Sequence, residues 1–165
     1  MNPFASYENV VMLLAPVDIA STATTTPYVD LRNAIRAAFL VSLGVLTTAS
    51  ASDTSVITVA CATAEGGAEA TVAFRYRKSG ITTANTWDAI ATADTTGLSI
   101  GSTDDGKMVW IEIDPAELAA SEYRFARVVL TDTDDMTALL VSVHAFLEAR
   151  YKQTTHISAT ASASA

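Results

Sequence analysis

Hydrophobic and polar positions alternate along much of this chain with a period of two, the spacing at which successive residues of an extended strand point to opposite faces. The clearest run is 139–151, where Leu139, Val141, Val143, Ala145, Leu147, Ala149 and Tyr151 fall on one side and Ser142, His144, Glu148 and Arg150 on the other. Similar runs at 56–62, 71–78, 108–113 and 123–130 are rich in Val, Ile, Phe, Tyr or Thr and end in turn-forming residues. Weaker strand candidates are 10–15, 39–43, 87–91 and 98–100. Many short strands with frequent turns predict an all-β chain with one short helix, folded as an antiparallel β-sandwich or barrel.

The connections carry their own chemistry. Glu65-Gly66-Gly67 separates two strand runs, and its glycines supply the positive φ of a tight hairpin; Asp104-Asp105-Gly106 reads the same way. In Asp114-Pro115-Ala116-Glu117 the Asp caps, the Pro suits the first helical position and the Glu completes a capping box, which predicts one helical turn through about Ala120. Residues 29–40 are ambiguous: Leu31, Ile35, Ala38 and Phe39 recur at helical spacing, while a buried strand beginning near Ala38 fits as well and is the reading preferred.

Three regions result. Residues 1–27, with Phe4, Tyr7 and an apolar 10–14 stretch, form an extended N-terminal arm that adds a strand to its own sheet or reaches a neighbouring subunit. Residues 28–152 form the β-sandwich domain. Residues 153–165 are mostly Ser, Thr and Ala around Ile157, a low-complexity C-terminal tail that cannot bury a face of its own and is expected to be either flexible or an arm that orders on a partner.

Composition then limits function. The 165 residues are 50% hydrophobic and 17% charged, enough apolar surface to fold as one domain. The longest charge-free stretch, 37–52, is too short and too often interrupted by Ser, Thr and Gly to span a membrane as a helix, and no basic segment precedes an apolar run as in a secretory signal. A net charge of -8 repels phosphate, so nucleic acid is not an expected partner.

Candidate chemistry is sparse. No glycine motif for phosphate occurs, and with only His144 and His156 to draw on there is no G-x-S-x-G elbow for a Ser-His-Asp site. Asp132, Asp134 and Asp135 resemble the opening of a calcium loop, but Met136, Thr137 and Ala138 interrupt it and Val143 stands where the closing Glu belongs, so a solvated turn is the better reading. Glu112 and Asp114 share a strand face as acid/base pairs do, yet Asp114 already caps a helix. Arg75, Arg77 and Lys78 form a small basic cluster on the face opposite Val72, Phe74 and Tyr76, suited to ion pairs with an acidic partner or with the chain's own Asp-rich turns. Cys61 reads as an inert buried hydrophobe. Trp110 reads as core or sheet face, and Trp87, beside Asn85 and Asp88, as the one aromatic placed for a ligand such as a sugar. No catalytic residue, metal ligand or cofactor site emerges, and an enzyme is not expected.

One resemblance adds to this reading. It is carried by Ala73-Phe74-Arg75-Tyr76-Arg77-Lys78-Ser79-Gly80, Trp87, Asp104-Asp105-Gly106-Lys107-Met108, Ile111-Glu112-Ile113-Asp114-Pro115-Ala116-Glu117-Leu118, Tyr123-Arg124-Phe125-Ala126-Arg127 and Glu148-Ala149-Arg150-Tyr151. Over residues 28 to 152 the chain resembles the small β-rich structural proteins of tailed double-stranded DNA phages, among them capsid decoration or cement proteins. The resemblance implies a virion protein made in the bacterial host cytoplasm and placed on the outer surface of the capsid. There it would bridge major capsid protein subunits and stabilise the DNA-filled head, as a homo-oligomer with a trimer the natural geometry. It assigns no binding residue. The competing expectations are a neck, collar or tail protein, separated by its low copy number, and a carbohydrate-binding module centred on Trp87.

Overall fold

The computed structural model describes residues 9–150 except 21, 49, 51, 81–85, 120 and 135. In chain order the strands are β1 (Asn9–Asp18), β2 (Ala23–Thr25), β3 (Val29–Asp30), β4 (Ala34–Thr47), β5 (Thr54–Ala62), β6 (Glu69–Val72), β7 (Phe74–Lys78), β8 (Ala91–Ala93), β9 (Leu98–Gly101), β10 (Met108–Ile113), β11 (Phe125–Asp132) and β12 (Ala138–Ala149). A five-residue helix, α1 (Pro115–Ala119), follows β10. The strands form two antiparallel sheets: a six-stranded one ordered β1-β12-β4-β10-β7-β8, and a second built on β2-β11-β5-β6, with β3 also paired to β11 and β9 to β5. The fold is an all-β sandwich.

Alternation explains how the layers meet. Phe39 and Val41 of β4, Val109 and Ile111 of β10 and Leu139, Val141 and Val143 of β12 are buried, and so are Ile57, Val59 and Cys61 of β5 with Ala126, Val128 and Leu130 of β11. These inner faces form one hydrophobic cluster. Burying each large aliphatic contributes about 1.5–3 kcal/mol, so the paired inner faces are the main stabilising term.

Several expectations are refined. The run 71–78 is two strands in different sheets, β6 and β7, with only Ala73 between them. Val72 packs on the core from one layer and Phe74 from the other, so the chain changes sheets without breaking the alternation that suggested a single strand. β4 begins at Ala34, not near Ala38, because β12 pairs with it as far as Ala149↔Ala34. The helical spacing of Leu31 and Ile35 is incidental to a turn at Arg32 and Asn33, where the Asp30 carboxylate accepts the Arg32 N–H at 2.9 Å. Residues 87–91 are not a strand: Trp87 makes a single bridge to Ser79, and regular pairing starts only at β8, beneath which Ala93 is the first buried residue. From Asn9 onward the N-terminal stretch takes the first of its two destinations, adding β1 to one sheet and β2 to the other sheet of its own chain. Residues 1–8 and the tail 153–165 lie outside the described residues.

Turn chemistry follows the sequence closely. Gly66, between the paired strands β5 and β6, has φ of +71° as a hairpin requires, whereas Gly106, at +68°, lies in a turn that carries the chain from β9 of one sheet to β10 of the other and is not in a hairpin. Asp114 caps α1, its Oδ1 accepting the Ala116 N–H at 2.8 Å. Before β10, Asp104 is 5% exposed and receives Lys78 Nζ at 2.8 Å and Lys107 Nζ at 3.2 Å. That contact separates Lys78 from Arg75 and Arg77. Lys78 lies on the inward side of β7, not on the polar face with the two arginines, as its even number in register with Phe74 and Tyr76 dictates.

Candidate docking surface

The register of the six-stranded sheet lays its outward side chains in rows. One row runs Val10, Phe146, Ala38, Glu112, Arg75, Thr92; the next runs Met12, His144, Leu40, Trp110, Arg77. Val10 and Met12 are 57% and 58% exposed, and Met108 and Leu140 are also exposed on large apolar side chains. The Trp110 and Phe146 rings meet across β4 with centroids 5.1 Å apart, and Ala38, although outward-facing, is only 2% exposed. An outer face this apolar is unusual for a sheet that faces water, where polar residues normally fill the outward positions.

The other sheet presents a different exterior. Its outward positions include Thr25, Thr58, Thr71 and Thr131 around Arg127. Arg127 pairs with Glu69 at 2.6 Å and lies 4.8 Å over the Tyr28 ring, and the Tyr28 hydroxyl donates to Glu69. This face mixes threonines and the cluster of Arg127, Glu69 and Tyr28 with Val129 and Phe125.

Sheet edges offer little to a partner strand. β2, β6 and β8 are three or four residues long, and the longer β1 is interrupted by two register shifts and Pro16. Bulges and proline are the usual devices that blunt an edge against strand addition. Any docking through this sheet therefore uses its face.

At one end of that face the strands frame two clefts. One, of about 300 Å³, is lined by Arg36, Arg75, Glu112 and Asp114; the other, of about 360 Å³, by Arg75, Thr92, Glu117 and Leu118. Two of their carboxylates already have roles, since Glu112 Oε1 accepts the Trp110 Nε1–H at 2.9 Å and Asp114 caps α1. The two acids expected to share a face are thus held by separate structural contacts.

The remaining predicted residues fall as follows. Asp132 accepts the Met136 N–H within its own turn, and Asp134 accepts the Thr54 N–H and so ties that turn to the start of β5; Asp135 lies outside the described residues. His144 sits on the apolar face between Met12 and Leu40, while His156 is outside the described residues. Trp87 is 38% exposed with the Arg77 guanidinium 5.6 Å over its ring, and Asp88 donates its N–H to Lys78 O; Asn85 is outside the described residues. Trp110 occupies the outer sheet face.

Cys61 is fully buried between the sheets, and burial, with a smaller contribution from Glu69, pushes its thiol up to about 12. A buried thiol held protonated is a poor nucleophile. Iodoacetamide at pH 8 is expected to leave the native protein unlabelled and to react fully in 8 M-class denaturant; rapid native labelling, read by intact mass, would contradict this placement.

The apolar face itself was not read from the sequence. Its signal lay in the uninterrupted run Ala37-Ala38-Phe39-Leu40-Val41 and in Leu140 and Phe146 on the supposedly polar side of the last strand, since apolar residues at both parities mark a strand covered on both faces. The chain matches no family model and no curated protein.

Proposed function

We propose that the protein is a non-enzymatic structural component of a tailed-phage particle, a decoration protein on the outer capsid surface that bridges major capsid protein subunits. The observation that supports this reading is the broad apolar outer face of the six-stranded sheet, beside edges blunted against strand addition. A protein carrying such a face is suited to self-assembly through area, and repetition of the assembled units on a lattice multiplies modest contacts by multivalency. The net charge of -8 agrees with a place outside the shell, away from packaged DNA.

On this reading, particles lacking the protein assemble but release DNA sooner on heating or chelation, and adding the purified protein back restores survival. The measurement is plaque titre and dye-accessible DNA along a temperature ramp. Depleted and complete particles surviving equally would remove the decoration role.

A further inference from the structure

We infer that the apolar face of the six-stranded sheet is occupied by a second copy of this chain, packed face to face about a two-fold axis running along β4. The inference rests on the structural-protein reading above and names the partner of that surface. Three observations carry it.

The first is charge. Strand residues on this face contribute three bases, Arg36, Arg75 and Arg77, and three acids, Asp18, Glu112 and Glu148, so it is balanced in a chain whose net charge is -8. The acidic excess therefore lies elsewhere on the molecule. Two copies of a strongly acidic chain repel one another over their acidic surfaces, and a balanced face meets its own copy without that repulsion.

The second is area. Six strands about 4.8 Å apart, with outward side chains spread over about 25 Å of strand, give the face an extent on the order of 700 Å², near the ~800 Å² that each partner of a standard interface buries. The clustered Trp110 and Phe146 lie close to its middle, as the aromatic anchors of an interface do.

The third is self-complementarity. An axis along β4 sets β10 of one copy over β12 of the other, and β7 over β1. Trp110 then faces His144 and Glu112 faces Phe146, and Arg75 and Arg77 extend their aliphatic stems over Val10 and Met12 instead of opposing one another. An axis across the strands would set Arg75 against Arg77. A two-fold contact of one patch with itself is the commonest symmetry of soluble oligomers, and two sheets pack this way about 10 Å apart.

The test is the mass of the purified full chain in solution, by sedimentation equilibrium or light scattering. The wild-type protein is expected at twice 17.3 kDa. Met12→Arg, which sets an arginine against Arg77 of the other copy, is expected to raise the dimer dissociation constant about 100-fold or more. Val10→Arg is read in parallel, so that a folding defect in either variant leaves the other to decide. Thr71→Arg, on the outer face of the opposite sheet, should leave the dimer intact, and melting curves should show all three variants folded. A monomeric or trimeric wild type, a dimer indifferent to both face substitutions, or one broken by Thr71→Arg overturns the inference. Loss of capsid protection by a protein that still dimerises would instead overturn the decoration role alone.

Discussion

Replacing Asp104 with asparagine is expected to lower the unfolding free energy by about 3 kcal/mol at pH 7, because it leaves the largely buried Lys78 and Lys107 without their shared counter-ion. The pH dependence should identify the cause. Burial pushes the Asp104 carboxyl upward, but the hydrogen bond and charge of Lys78, the Gly101 N–H and Lys107 together outweigh it, holding the group below its ordinary value of 3.8. A carboxylate depressed in the folded state contributes stability that is complete above the unfolded value and is lost as pH falls through the folded one. Urea unfolding at pH 7 and near pH 3 should therefore show the gap between wild type and variant narrowing in acid. A gap equally wide at both pH values would mean that packing, not charge, holds this turn.

Phe39→Ala is expected to cost about 3–5 kcal/mol, the range for removing a large buried aromatic and leaving a cavity. Phe39 is fully buried in β4, paired with Ile111 on one side and Ala145 on the other, and faces the second sheet. Such a loss is a large fraction of the 5–15 kcal/mol that stabilises a typical domain. Val10→Ala, on the exposed outer face, should change stability by less than about 0.5 kcal/mol in the monomeric background. Denaturant midpoints for the pair test the register directly. Because side chains alternate with a period of two, a mild effect at Phe39 and a severe one at Leu40 would mean that β4 is shifted by one residue.

How far these features were legible depends on the kind of signal each one sends. The strands 108–113 and 56–62, the Asp114 cap and the positive-φ Gly66 and Gly106 come from local chemistry, and each was readable from a few adjacent residues. The split at Ala73 was not, because alternation reports which side of a strand faces the core and is silent about which sheet the strand belongs to. Nor was the start of β4 at Ala34, which is fixed by pairing with residues more than a hundred positions later. Proximity in sequence groups Lys78 with Arg75 and Arg77, whereas its parity and the distant Asp104 turn it inward. The outer face is the clearest case. Val10, Met12, Leu40, Trp110 and Phe146 come from four strands, and only the strand order makes them neighbours.

The antiparallel neighbours β1 and β12 have a mechanical consequence. Asn9 pairs with Leu147, so the outer ends of these two strands leave the sandwich at the same pole. Tension applied to both ends would peel the pair apart one rung after another, the low-resistance direction for a β-ladder, whereas load entering through the broad sheet would strain all rungs together. A molecule wired in this way withstands stretching when it is clamped across its flank and yields when it is pulled from the adjacent ends of β1 and β12.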